Sequence, residues 1–505
     1  MDIDSKTYIG LPVVCLTTFI LFRIFFDKLS VYPGPWTARV TKGYRFYYDV
    51  VQSGGLLDEL HRLHKKFGLV VRIGPNELHF SDPKAFFDIY SHSNLTKEPT
   101  LYNSFPFHEA SISYIDPVDA STRRDLLNPM FSRSSILKLQ PVIQGKIDKL
   151  ISRISTSHDE GNCKPIDMHM AYRSATMDII TSYCFADTFD ALDAPGFRHP
   201  ILVGLQTGVT SSWILKYMPW MLHAIENAPD WMVDCLPREH QFFRDLRQFS
   251  SSQIDGYALD PTLLDRADQP TIFHQLMVPN IKAQGHVPSR RSLMGETMAL
   301  LAAGHDTVGG VCTVGTFHIL KNPAVHTQLV EELREVWPDV DSPMGYQRLE
   351  KLTYLTAVVK ESLRLAHGIV SNLPRVTGVD MQIGDHYVPK NTVVSMSVIF
   401  MHLNPDIFPE PERFDPDRWL RASSERLSDM NNNLWPFSRG SRMCLGITLA
   451  WCELYLIFAH IFRRTNMELS NASEHDYTTF RDFFVPVWDG NRLHVVVKGV
   501  EGSVE

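Results

Sequence analysis

The chain has 505 residues, of which 44% are apolar and 21% charged, with a formal net charge of −8. That is the composition of a folded globular protein, and without a basic excess it is poorly equipped to neutralise phosphates, which argues against nucleic acid as a partner. The length exceeds the roughly 250–300 residues that one core usually serves, yet no internal repeat or low-complexity tract divides it.

Residues 8–26 are nearly all apolar, with Arg23 as the one charge. As a helix they would span roughly 28 Å, close to the hydrocarbon thickness of a bilayer. A cleaved signal peptide would want a basic start and a small-residue exit, whereas this segment begins with acids and leaves through large and charged residues. Asp2 and Asp4 precede the span, while Lys28, Arg39, Lys42 and Arg45 follow it. The positive-inside rule then places the body in the cytosol. The expectation is a transmembrane anchor over 1–30, followed through the stiff Tyr32-Pro33-Gly34-Pro35-Trp36 exit by one folded body over 31–505.

Further along, 211–233 is rich in Trp and Met and reads as an amphipathic stretch of the core. From 292 to 321 the chain lacks proline, is apolar over much of its surface and stops at Asn322-Pro323. This predicts a helix of about 45 Å, long enough to cross a large domain. Midway stands Ala303-Gly304-His305-Asp306-Thr307, where glycine and a back-bonding threonine weaken the helical ladder. Leu352, Leu355, Val359 and Leu363 recur at spacings of three and four, marking another helix with Glu361 and Arg364 on one face.

Near the C-terminus, the loop Phe437-Ser438-Arg439-Gly440-Ser441-Arg442-Met443-Cys444-Leu445-Gly446 opens an apolar run over 445–462 that reads as a buried helix. A cysteine at that junction meets the positive end of the helix dipole, which favours its thiolate. Gly440 and Gly446 remove bulk where a flat ligand approaches the backbone, and Arg442 offers a planar fork for a carboxylate. Taken alone, Cys444 reads as a buried thiol at a helix start. The seven cysteines contain no C-x-x-C pair, so neither structural zinc nor a dithiol centre is indicated.

The same string matches F-x-x-G-x-R-x-C-x-G at every fixed position, and the chain thereby resembles the cytochrome P-450 superfamily of haem-thiolate monooxygenases. The resemblance implies a mainly α fold with small β-sheets (α+β), with haem between the long central helix and the cysteine loop. It implies Cys444 as the axial thiolate ligand of iron, and Phe437, Gly440, Gly446 and Arg442 as parts of the haem site. Without a C-x-x-C-H string the haem is expected to be non-covalent haem b. Ala303 to Thr307 matches the family's A-G-x-[DE]-T motif, implying that Thr307 orders the proton donor in oxygen activation and Asp306 relays protons from solvent. Glu361, Arg364 and Arg413 would form a buried network bracing the cysteine loop. Arg375 and Arg124 would bind haem carboxylates; the family's W-x-x-x-R tryptophan is Ala120 here, so Arg123 stands as an alternative to Arg124.

By the same resemblance, 105–110, 300–303, 369–373 and 483–485 line the pocket. They are mostly apolar and contain no Asp, Glu, Lys or Arg except Glu109, which implies a hydrophobic small-molecule substrate. The 211–233 segment would roof that pocket and dip into the membrane. Three N-terminal strings, from Tyr32, Tyr44 and Val71 onward, resemble the fungal trichodiene-oxygenase-like group, which tailors terpenoid, polyketide or alkaloid secondary metabolites. No G-x-G-x-x-G fingerprint is present, so electrons would come from NADPH through a membrane-bound flavoprotein reductase, or through cytochrome b5, docking where Arg439 and Arg442 add positive charge. The expected setting is the endoplasmic reticulum membrane. The alternative is a haem-thiolate isomerase or dehydratase acting without O2; such relatives often lose the acid–alcohol pair, which is intact here.

Overall fold

The computed structural model describes residue 18 and residues 27–92, 95–159, 164–260, 262–265, 269–278, 287–470, 473 and 475–502. The anchor expected over 8–26 lies outside these apart from residue 18. Among the described residues no helix is long and apolar enough to cross a membrane.

The fold is mainly α, with four small separate sheets among the described residues. The helices that position the site are α1 (Pro83–Ser91), α2 (Pro117–Leu127), α3 (Arg133–Asp159), α4 (Met168–Phe185), α5 (Ser212–Tyr217), α6 (Pro219–Glu226), α7 (Arg290–Lys321), α8 (Pro323–Val336), α9 (Thr353–Ala366) and α10 (Ile447–Arg464). The long central helix forms where expected. The Ser289 side chain caps its start at the Ser292 N–H, and Asn322 ends it while capping α8 at Val325, with Pro323 at the first position. Its 32 residues extend about 48 Å.

Helix α4 is buried on nearly every side and runs along α7; its buried Arg173 and Asp178 are satisfied inside, by Asp306 and by the Ala191 and Leu192 N–H groups. With α3, α9 and α10 these two form the main core. A Cβ on Gly315 of α7 would lie 2.5 Å from the Phe458 ring of α10, so the two helices touch closely there.

Strands β1 (Val70–Gly74), β2 (Glu77–Phe80), β3 (Leu95–Lys97), β5 (Arg375–Thr377) and β8 (Val393–Ser395) make a five-stranded sheet in the order β1-β2-β8-β5-β3. Only β2 and β8 run parallel. A three-stranded sheet joins β4 (Ile166–Asp167), β12 (His494–Val500) and β9 (Thr465–Ser470), while β6 (Met381–Ile383) with β7 (His386–Val388), and β10 (Phe480–Phe483) with β11 (Val485–Trp488), form hairpins. The register of β3 against β5 sets Lys97 directly opposite Arg375.

The 211–233 stretch departs from a continuous core element. Pro219 and Pro229 divide it into α5, α6 and the short helix Asp230–Asp234. Trp213 and Leu222 are buried, but Trp220 and Trp231 are 68% and 69% exposed.

Candidate active site

The cysteine loop is shaped by its own backbone. The Cys444 N–H donates to the Phe437 carbonyl at 2.8 Å, closing the turn. Gly440 has φ +74°, and a Cβ there would lie 2.2 Å from the Tyr90 carbonyl oxygen of α1, so this position needs glycine. Arg439 is held over the rings of Phe87 and Trp435, at 4.9 and 5.1 Å. Helix α10 begins at Ile447, two residues later than the apolar run suggests, because Gly446 forms its cap.

Cys444 is solvent-accessible, yet protein surrounds it closely enough that burial pushes its thiol up, while the Gly446 N–H and Arg124 pull the other way. A side chain both accessible and surrounded lines an internal cleft. On α7, Ala303 is exposed and Thr307 part-exposed, although the helix around them is buried. These accessible groups on α7 and the cysteine loop mark the candidate cleft, while farther along α7 meets α10 at Gly315 and Phe458.

Four cations cluster together, Lys97, Arg124, Arg375 and Arg442, and Arg124 brings them to Cys444. Lys97 donates to the Ile112 carbonyl, Arg442 to the Tyr114 carbonyl and Arg375 to the Tyr102 hydroxyl at 2.7 Å. Among the described residues none of the four forms an ion pair with a carboxylate. Burial, then repulsion from neighbouring arginines, pushes the Lys97 ammonium well below its ordinary value and the Arg442 guanidinium down to about 10. Like charges facing each other across a ladder are destabilising, so Lys97 opposite Arg375 calls for anions. Nothing in the sequence marks Lys97: it reaches Arg375 only through pairing between strands 278 residues apart.

Arg123 and Arg124 separate cleanly. Arg123 is buried and committed, with Nη1 on Glu296 at 2.9 Å and Nη2 on Ser292 Oγ at 2.6 Å. Arg124 faces the field of Cys444 instead. Arg442 points inward to Tyr114, so of the two arginines expected to greet a redox partner only Arg439 is exposed.

On α7, the Thr307 hydroxyl donates to the Ala303 carbonyl at 2.7 Å. Arg173 of α4, which the motif does not reveal, pairs through Nε with Asp306 Oδ1 at 2.6 Å. Burial would raise the Asp306 carboxyl, but Arg173 and His305 outweigh it and hold it below the ordinary carboxylate range.

The bracing network also differs from the expected one. Glu361 and Arg364 pair at 2.7 Å with both side chains fully buried. Their third member is Arg418, 2.9 Å from Glu361, joined by the Trp419 indole N–H at 3.0 Å. Arg413 instead turns its side chain outward, 64% exposed and paired with Glu410, and contributes only its carbonyl to Arg364. The turn after Pro411 directs that carbonyl inward, and the short helix Arg418–Arg421 brings the second guanidinium. Arg364 also donates to the His402 carbonyl. Burial keeps the His402 imidazole neutral, down to about 3, so that it accepts the Trp435 N–H at the root of the cysteine loop.

A flat dianion that takes a thiolate on one face meets both demands of this cleft, the carboxylate-free cations and the accessible Cys444. The architecture is that of the haem-thiolate proteins. The family model for cytochrome P-450 matches residues 33–486, and the chain belongs to that family. It is 33% identical over 480 residues to cytochrome P-450 monooxygenase macH of Penicillium terrestre, covering 93% of this chain and 92% of the relative. A conidiogenone synthase of Penicillium rubens is 33% identical over 489 residues, covering 95% and 96%, and a tryptophan 6-hydroxylase of Fusarium equiseti is 31% identical over 486 residues, covering 94% and 93%. The chain is thus an oxidoreductase of the monooxygenase class, in a family that uses haem-thiolate, a redox partner and hydrophobic substrates.

Proposed function

We propose that this monooxygenase inserts one oxygen atom from O2 into a hydrophobic fungal secondary metabolite, such as a terpenoid, polyketide or alkaloid, by hydroxylation, epoxidation or successive oxidation. The observation that carries the reading is the accessible Cys444 in the field of Arg124, itself one of four clustered cations that, among the described residues, lack carboxylate ion-pair partners. Cys444 is the iron ligand, and Arg124, Arg375, Arg442 and Lys97 hold the carboxylates of non-covalent haem b. Gly446 leaves room for its plane and Phe437 packs beside it, whereas Gly440, expected to do the same as Gly446, instead lets the loop close on the Tyr90 backbone. Bound haem supplies the redox centre at which O2 is activated.

The protein's own groups manage protons and water. With its hydrogen committed to Ala303, the Thr307 hydroxyl offers lone pairs that accept a hydrogen bond from the proton donor and so orient it. Asp306 is ionised beside Arg173, and it accepts a proton from solvent when that pair loosens. Phe105, Phe107 and Phe484 present an apolar, aromatic wall to the substrate.

Electrons come from NADPH through a membrane-bound reductase, with cytochrome b5 as a second donor, docking on the face that carries Arg439. Residues 1–30 anchor the catalytic domain, 31–505, in the endoplasmic reticulum membrane with its body in the cytosol. Exposed Trp36, Trp220 and Trp231 support contact with a lipid surface. The test is expression in microsomes with a reductase and turnover of a terpenoid and polyketide panel. Product that requires both NADPH and O2 is expected; product formed without O2 would sink the oxygenase reading in favour of isomerisation.

A further inference from the structure

The first turns of α7 grip the front of the pocket through contacts that the haem chemistry does not use. Glu296 is fully buried there. Its carboxylate accepts from the Ser111 N–H at 2.9 Å and the Ser111 hydroxyl at 2.6 Å, and pairs with Arg123 at 2.9 Å. One turn earlier Ser292 Oγ donates to the Glu109 carbonyl at 2.7 Å. Gly295 lies so close to His108 that a Cβ would meet its carbonyl oxygen at 1.9 Å. Residues 108–111 are therefore held against α7 at three successive points.

The same loop carries Phe105 and Phe107, whose rings stack at 5.5 Å with an interplanar angle of 9°. Phe105 also meets Phe484 at 4.9 Å. On α7, Ala303 and Thr307 follow Glu296 by seven and eleven residues, which puts all three on one helix face, about 10 and 16 Å along the axis. The grip thus sits at one end of the strip on which Thr307 works. Glu296 thus ties Ser111 to Arg123, whose second nitrogen is held by Ser292 on the same helix.

Building on the haem-thiolate reading above, we infer that Glu296 is a positioning residue for substrate: by holding Ser111 it fixes the Phe105–Phe107 pair as a rigid wall and so sets which ligand shapes the pocket accepts. The test uses the full haem-loaded chain and two nitrogen ligands of iron, imidazole and its 4-phenyl derivative. In Glu296→Gln and in Ser111→Ala the ferrous–carbonyl band should stay at the thiolate position and imidazole should bind as it does to the unaltered chain. The phenyl derivative should bind about tenfold more weakly, the equivalent of one hydrogen bond to a charged group. Hydrogen exchange in the peptide 105–113 should quicken, while that of α10 stays unchanged. Equal weakening of both ligands, or unchanged binding together with unchanged exchange, would overturn the inference. Ser111→Ala leaves the Glu296–Arg123 pair in place, so it decides the matter if Glu296→Gln does not fold. A missing carbonyl band in the unaltered chain would instead overturn the haem reading, and the exchange measurement would then still decide the role of Glu296.

Discussion

At Thr307 the hydroxyl hydrogen is already used by the Ala303 carbonyl, so the oxygen atom acts as an acceptor that orders a proton donor. Thr307→Ala should uncouple NADPH consumption from product and release peroxide, read as the ratio of the three, and unchanged coupling would remove Thr307 from the proton route. Asp306 raises a question of sign. Its carboxyl is held below the ordinary range, so the ion pair with Arg173 contributes stability that is complete above the unfolded-state value and is lost as pH falls through the lowered folded value. Replacing Arg173 leaves burial, which favours the neutral acid. In Arg173→Gln the acid limb of the coupling–pH profile should therefore move to higher pH, by about one unit or more; a profile that stays in place would detach Arg173 from the relay. The motif makes Asp306 and Thr307 legible, but Arg173 lies on another helix, 133 residues away, and no local spacing announces it.

Among the elements, α7 is the clearest from sequence, because the Asn322-Pro323 stop is a local signal that capping chemistry enforces. The roof is less so: periodicity suggests one amphipathic stretch, but two prolines break it and leave tryptophans outside. The bracing network shows a different limit. A motif can name the P-E-R-F loop without telling which way its arginine turns, and the turn sends the Arg413 side chain to solvent while Arg418 takes the buried place. Arg418→Ala should cost about 3–5 kcal/mol, since it leaves Glu361 short of a cation in a buried network, and should lower haem retention. Arg413→Ala should leave the melting temperature nearly unchanged. The reverse order of effects, read by thermal melting and haem content, would restore the arrangement expected from sequence.

Across the molecule, distant segments deliver like charges to one cleft: Lys97 from β3, Arg124 from α2, Arg375 from β5 and Arg442 from the cysteine loop. Such an assembly is strained electrostatically until anions arrive, which is why haem binding and folding should be coupled. Loading with haem should stabilise the chain by about 2.7 kcal/mol at a free haem concentration a hundredfold above its dissociation constant; equal melting of apo and loaded protein would contradict the role of these cations. Cys444 lies at the edge of that charge, just before α10 and within the field of Arg124. The most direct measurement is therefore the ferrous–carbonyl difference spectrum of the full chain beside that of Cys444→Ser. The unaltered chain should give the band at the thiolate position and the variant should lose it together with all oxygenase activity; a variant that keeps that band would show that Cys444 is not the iron ligand.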